Sequence, residues 1–188
     1  MGMDKAFIRL DGQTLLTRSL DLARSVTPDV RVVGSPEKFA QFAPVISDIY
    51  PDRGPLGGIH AALRASQADL NLMLAVDMPA LPATFLKYLI EQARTTPDVA
   101  AVVPRDNGRS QPLCAIYRRG FADAAETALL AGCNRIDSLY SQIEVRAVER
   151  EEWVREGFSS AIFHNLNTPE ELELEKQRTW KTVASRYS

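Results

Sequence analysis

Leu70-Asn71-Leu72-Met73-Leu74-Ala75-Val76-Asp77-Met78-Pro79 is the stretch on which the fold class turns. A short, nearly continuous apolar run that stops at turn residues reads as a buried strand of the kind found in largely parallel sheets covered by helices. In open α/β sheets the ligand crevice lies outside the carboxyl ends of the strands. Asp77 therefore stands where a rigid backbone presents a carboxylate to solvent and ligand. The same position also suits an aspartate that merely closes the strand, a role the nearby Pro79 favours.

Working outward, apolar runs alternate with amphipathic segments on both sides of this strand, the pattern of an α/β three-layer sandwich with a mostly parallel, Rossmann-like sheet. Upstream, residues 13–25 carry Leu15, Leu16, Leu20 and Ala23 at helical spacing behind an Asp11-Gly12 turn. Residues 30–33 read as a buried strand stopped by Gly34-Ser35-Pro36, residues 37–42 as a short helix and residues 45–46 as a strand ending near Asp48. The run from Pro51 to Gly58 is too rich in glycine and proline to be an element, and a helix is expected only from residue 59 to 68. Downstream, residues 82–94 are helical and 99–103 a strand. Asp106-Asn107-Gly108 is a turn that lets residues 112–117 return antiparallel. A helix follows over 121–130, then strands over 143–148 and 161–163. Thr168-Pro169-Glu170-Glu171 opens a C-terminal helix with a threonine cap, a proline in the first turn and a glutamate three residues after the cap. One domain over residues 1–188 is expected, with about 175–188 as a C-terminal extension.

The 188 residues suffice for a substantial core, and 45% hydrophobic with 24% charged residues is an ordinary soluble composition. A formal net charge of -2 gives no reason to expect nucleic acid or an acidic membrane as partner. Cys114 and Cys133, the two cysteines, read as reduced small hydrophobes of a cytoplasmic protein. The opening residues lack the pattern of a signal peptide, and no apolar run reaches the roughly 20 residues of a membrane span.

Four features carry chemistry. Hard Mg²⁺, or Mn²⁺ in its place, takes a few carboxylate oxygens with substrate phosphates, which suits Asp77. Gly54-Pro55-Leu56-Gly57-Gly58 opens a helix, where glycines admit a ligand close to the backbone and free N–H groups favour anions or purine edges. It has neither the dinucleotide spacing nor a Walker Gly-Lys-Ser/Thr. Asp48 and Asp52 upstream can reach a ribose hydroxyl or a base. Lys5 would neutralise charge built up at phosphorus. In Asn165-Leu166-Asn167 the alternation sets both asparagines on one face of an extended segment before the helix cap. For each, the plainer account is a solvated charge, a flexible connection or a capped turn. His60 and His164 are too isolated to suggest zinc. No nucleophile elbow or cysteine–histidine pair argues for covalent catalysis. In-line phosphoryl chemistry by positioning and charge is what remains.

In order and spacing, Met1-Gly2-Met3-Asp4-Lys5-Ala6, Gly54-Pro55-Leu56-Gly57-Gly58-Ile59, Asp77-Met78-Pro79-Ala80-Leu81-Pro82 and Asn165-Leu166-Asn167-Thr168-Pro169-Glu170-Glu171-Leu172 resemble the molybdenum cofactor guanylyltransferases (molybdopterin-guanine dinucleotide synthesis protein A). The segment from Gly108 through Gln111 to Tyr117 is similar to a further family segment, and the resemblance runs to about Leu174. It implies transfer of GMP from GTP to molybdenum-molybdopterin, with pyrophosphate leaving. It also implies that Lys5 contacts the phosphates and Asp77 holds the metal. Asp48, with Asp52 as rival, would meet the guanosine, and Gly54 and Gly58 would lie along the nucleotide. Asn165 and Asn167 would stand near phosphates and acceptor, and Arg109, Gln111 and Arg135 would contact the acceptor. Transient contact with cofactor insertion and acceptor proteins is implied too. Cytidylyl or other nucleotidyl transfer to a phosphorylated acceptor is the neighbouring expectation, and a non-catalytic pterin-binding module the distant one. The family's first strand and Leu-Ala-Gly-Gly-x-Ser-x-Arg loop precede the segment that here begins at Met1. The expectation is therefore a longer natural protein, and weak or no GTP binding by residues 1–188 alone.

Overall fold

The structure, a computed structural model, describes residues 4–159 and 161–163. A 3₁₀ turn over Lys5–Phe7 leads into a hairpin of β1 (Arg9–Leu10) and β2 (Gln13–Thr14). Asp11 and Gly12, at φ 51° and 83°, make its turn. The expected helix starts two residues late because Gln13 and Thr14 pair with β1. The Thr14 hydroxyl then caps α1 (Leu15–Arg24) by accepting from the Thr17 N–H at 3.1 Å. Next come β3 (Val32–Val33), α2 (Pro36–Phe39) and β4 (Val45–Ile46), with β3 and β4 paired in parallel.

The glycine-rich run contradicts its reading as a loop: it is the start of α3 (Gly54–Ala65). Gly54 takes φ +59°, Pro55 sits in the first turn, where a missing N–H costs nothing, and Gly57 and Gly58 are helical. After it follow β5 (Leu70–Leu74), α4 (Ala83–Thr95), β6 (Ala101–Asp106), β7 (Arg109–Ser110), β8 (Cys114–Arg118), α5 (Phe121–Leu130), β9 (Val145–Val148) and α6 (Arg150–Arg155).

Strands β5, β8, β6 and β7 are neighbours in that order, with β9 parallel to β6. Both β5 and β6 run antiparallel to β8, so β5, β6 and β9 share one direction. The sheet is thus mixed, as the returning strand after the Asp106-Asn107-Gly108 turn requires. Period-2 alternation divides its side chains between two cores. Ala101, Val103, Ala115 and Tyr117 pack against Leu56, Ile59 and Leu63 of α3 and Phe121, Ala125 and Leu129 of α5. Val102, Cys114 and Ile116 pack on the opposite face against Phe85, Leu86 and Leu89 of α4, with Trp153 of α6. Helices thus cover both faces, giving the expected α/β three-layer arrangement.

Two expectations need correction. Every residue of β5 is only half-buried, because among the described residues it pairs on one side alone, with β8. Residues 161–163 form a turn rather than a strand: the Ile162 N–H bonds back to the Ser159 carbonyl at 3.2 Å, while Ile162 and Phe163 bury against the α4 core. The expected C-terminal helix lies outside the described residues. Among these, no helix is long and apolar enough to cross a membrane.

Candidate active site

Asp77 emerges from β5 just after the Ala75 N–H to Leu113 carbonyl bond at 2.7 Å, and buried Met78 and Leu81 anchor the turn that follows it. From the other end of the sequence, Asp4 starts the 3₁₀ turn by accepting from the Ala6 N–H at 3.2 Å. That turn points Lys5 back, and its Nζ donates to Asp77 Oδ2 at 3.4 Å. Lys38 of α2 holds the other Asp4 oxygen at 3.2 Å. These two ion pairs tie the segments leaving β3 and β5 to one short turn. The Lys5 side chain is 45% exposed and that of Asp77 17%. A pair this accessible on the Lys5 side is worth at most about 1 kcal/mol, so either partner can be drawn from it at little cost.

The first turns of α3 form a second part. Arg53 at the N-cap position offers no side-chain cap, so the first N–H groups of the helix point outward without one. A Cβ on Gly57 would stand 3.0 Å from Arg53 Cβ and 3.1 Å from the Tyr50 carbonyl oxygen, so a side chain there would push both back by a few tenths of an ångström. On Gly58 it would meet Val33 Cγ1 at 3.5 Å and Asp48 Oδ1 at 3.8 Å, ordinary contacts that demand nothing. Asp48 thus lies over Gly58, whereas Asp52 is an exposed turn residue at φ 60°.

A third part is an open cavity of about 600 Å³ beside the β6–β7 hairpin, lined by Arg105, Arg109, Ser110, Asp137, Tyr140 and Ser141 among others. Asn107 and Gly108, at φ 49° and 75°, turn the hairpin so that Asp106 pairs with Arg109. Arg105 reaches Glu149 at 3.3 Å. The Tyr140 hydroxyl lies 2.7 Å from that of Tyr117, and burial drives its pKa upward, so it stays a neutral hydroxyl. Gln111 and Arg135, expected with Arg109, do not line this cavity. The Gln111 N–H bonds to the Pro104 carbonyl at 2.9 Å, and Arg135 stands at the start of a 3₁₀ turn over Ile136–Ser138. Arg105, Tyr140 and Ser141 were not singled out from sequence. Arg105 precedes a readable turn, but nothing local signals that Tyr140 returns to the same hairpin. Asn165 and Asn167 lie outside the described residues.

Lys5 and Asp77, 72 residues apart, are brought together. Asp48 and Gly58 form a second group, and Arg109 with Arg105 a third, on the edge where β6, parallel to β5, also ends.

The model of the MobA-like NTP transferase domain matches residues 1–147. The chain is similar to a molybdenum cofactor guanylyltransferase of Desulfosudis oleivorans, 33% identical over 174 residues, 92% of this chain and 85% of that protein. It is also 30% identical over 173 residues to a probable molybdenum cofactor guanylyltransferase of Clostridium perfringens, covering 90% of this chain and 86% of the relative. The crystal structure of molybdopterin-guanine dinucleotide biosynthesis protein A from Archaeoglobus fulgidus superposes with a TM-score of 0.78 at 26% identity, over 96% of this chain and 92% of that one. The 2-C-methyl-D-erythritol 4-phosphate cytidylyltransferase of Thermus thermophilus, 19% identical over 93% of each chain with a TM-score of 0.68, shares the fold. The chain belongs to the MobA-like NTP transferase family, that of the molybdenum cofactor guanylyltransferases, and is a nucleotidyltransferase.

Proposed function

We propose that this enzyme transfers GMP from GTP to the terminal phosphate of a molybdopterin-type cofactor, releasing pyrophosphate. The observation that carries the reading is the Lys5–Asp77 pair at the carboxyl end of β5. Asp48 beside Gly58 and the first N–H groups of α3 would take the nucleoside and its phosphates. Lys5 would turn from Asp77 to the phosphates and balance the charge that grows as pyrophosphate departs. The cavity with Arg105 and Arg109 has the charge and volume for a phosphorylated acceptor.

Asp77 suits Mg²⁺, with Mn²⁺ as substitute. No group of three or more metal-ligating side chains gathers among the described residues. One or two carboxylates completed by substrate phosphates and water is how Mg²⁺ is usually held, whereas an all-protein cage is not. When bound, the ion would polarise the phosphoryl oxygens and stabilise the leaving pyrophosphate. Asn165 and Asn167 would stand near phosphates and acceptor, and Gln111 and Arg135 keep a place only at the outer acceptor surface. The cytoplasm is the compartment this reading expects, with hand-over of the product to cofactor insertion and acceptor proteins.

The test is pyrophosphate release by the protein expressed from its full reading frame, with molybdopterin as acceptor and GTP or CTP as donor. Preference for GTP is expected. Preference for CTP would move the enzyme to cytidylyl transfer, and acceptor binding without Mg²⁺-dependent turnover would make it a binding module.

A further inference from the structure

Tyr50 stands within the connection from β4 to α3, two residues after Asp48 and four before Gly54. Its ring turns inward against the core under α3 and α5, with its centroid 5.3 Å from that of buried His60. Its hydroxyl donates to Glu126 Oε1 of α5 at 3.1 Å. The other oxygen of Glu126 takes Arg64 of α3, which also reaches Asp123 at 2.8 Å and donates from Nε to His60 Nε2 at 3.3 Å. The bond from Arg64 holds Glu126 below the ordinary carboxylate range, and the bond to Glu126 keeps the Tyr50 phenol protonated. Donor and acceptor roles are thereby fixed.

The backbone of the connection is packed onto α3 as well, since the Tyr50 carbonyl oxygen would lie 3.1 Å from a Cβ at Gly57. Further along, Arg53 Nη1 bonds to Asn134 Oδ1 at 3.4 Å, in the segment after α5. A connection carrying two exposed aspartates and left-handed Asp52, with left-handed Gly54 next to it, would otherwise sample many arrangements.

We infer that Glu126, acting through the Tyr50 hydroxyl, is a positioning residue for the nucleotide: it holds Asp48 and the first turn of α3 in one arrangement before the nucleotide arrives. None of these side chains needs to touch substrate. What the clamp supplies is preorganisation, which removes the ordering cost from binding. The inference rests on the proposed role of residues 48–58 in nucleotide binding.

The test compares Tyr50→Phe, Glu126→Ala and Glu126→Gln with the wild type, all expressed from the full reading frame. It reads steady-state kinetics with GTP and CTP, and hydrogen exchange over residues 48–58. Losing the bond in Tyr50→Phe or Glu126→Ala should raise KM for the nucleotide roughly fivefold, with kcat within about twofold, because one such bond is worth about 1 kcal/mol. Exchange should rise over residues 48–58 and stay unchanged in β6 and β8. Glu126→Gln keeps a bond on each side, its amide oxygen accepting from Arg64 and its NH2 donating to the Tyr50 oxygen, and should restore most of the nucleotide KM. Unchanged exchange over 48–58 in Tyr50→Phe would overturn the clamp, as would raised exchange with an unmoved nucleotide KM. A wild type that uses CTP instead of GTP would defeat the proposed function, yet the same comparison with CTP would still decide the clamp. A wild type that binds neither would overturn both.

Discussion

Asp77, the carboxylate proposed to hold the metal, needs little from its neighbours because the backbone beneath it is rigid. The ladder to β8 fixes where it emerges, and its contact with Lys5 is an exposed pair. Removing the carboxylate should therefore cost the fold at most about 1 kcal/mol. Asp77→Ala is expected to lower turnover at least about a hundredfold while melting within a few degrees of the wild type, because charge stabilisation in the transition state is lost. Calorimetry and pyrophosphate release on one sample check both halves, and near-normal turnover would remove Asp77 from the proposed metal site. His60 shows the opposite case, a titratable group deep in the fold with no hydrogen-bond partner for Nδ1. Burial pulls its pKa below the ordinary value of 6.5. The unfolded chain then binds a proton near that value that the native state refuses, so stability is full above it and falls as the pH drops below it. The wild-type melting temperature should decline between about pH 7 and 5.5, and decline less in His60→Gln. Equal slopes in the two proteins would show that His60 is protonated in the native state. Asp77 and Lys5 were each legible as candidates from their positions in the sequence. Their contact was not, since no local pattern encodes a meeting across 72 residues.

At the scale of elements, helices with regular apolar spacing were read well: α5 and α4 match their expected spans within a residue or so. The errors fall where local chemistry and tertiary context pull apart. Three glycines and a proline in five residues argue against a helix by propensity, yet packing against β3 and the Asp48–Arg53 connection places Gly54–Ala65 in one. Helix α6 went unread because it is only six residues long. Its signal lay in Glu149 and Glu152, whose carboxylate reaches back to the Glu149 N–H at 2.9 Å. The glycines of α3 separate structural from ligand roles. Gly57→Ala should lower stability by about 1–3 kcal/mol, since the added methyl crowds Arg53 Cβ and the Tyr50 carbonyl oxygen. Gly58→Ala should leave stability unchanged or raise it by up to about 1 kcal/mol, as alanine favours the helix. If the nucleotide lies against Gly58, that same substitution raises KM for GTP. Urea denaturation with steady-state kinetics on both variants checks the contrast, and a Gly58→Ala protein with unaltered KM would remove Gly58 from the site.

Across the whole molecule, the described strands fall into ladders of very different strength. The sheet built on β5, β8 and β6 carries a five-pair ladder between β5 and β8, a four-pair ladder between β6 and β9 and a core on both faces, whereas β3 and β4 share only two residue pairs. Local opening follows contact and burial, so amides of residues 32–33 and 45–46 should exchange at least about tenfold faster than those of β6 and β8. Native-state exchange mass spectrometry reads this directly, and equal protection would show that the two ladders open as one unit. The strand sequence and the antiparallel return after the Asp106-Asn107-Gly108 turn were legible in apolar runs and turn residues. The insertion of β8 between β5 and β6 was not, because pairing order is decided by side chains on both faces rather than by any one strand. The two thiols divide along the same line between interior and surface. Cys114, the first residue of β8, is buried under α4, where desolvation pushes its thiol far up, while Cys133 is partly open and the Ser138 hydroxyl lowers its thiol. A thiol-directed fluorophore would accordingly attach at one place. That place adjoins Asn134, the residue gripping Arg53, so under the proposed site the unmutated chain carries a built-in labelling position whose fluorescence should change when nucleotide arrives.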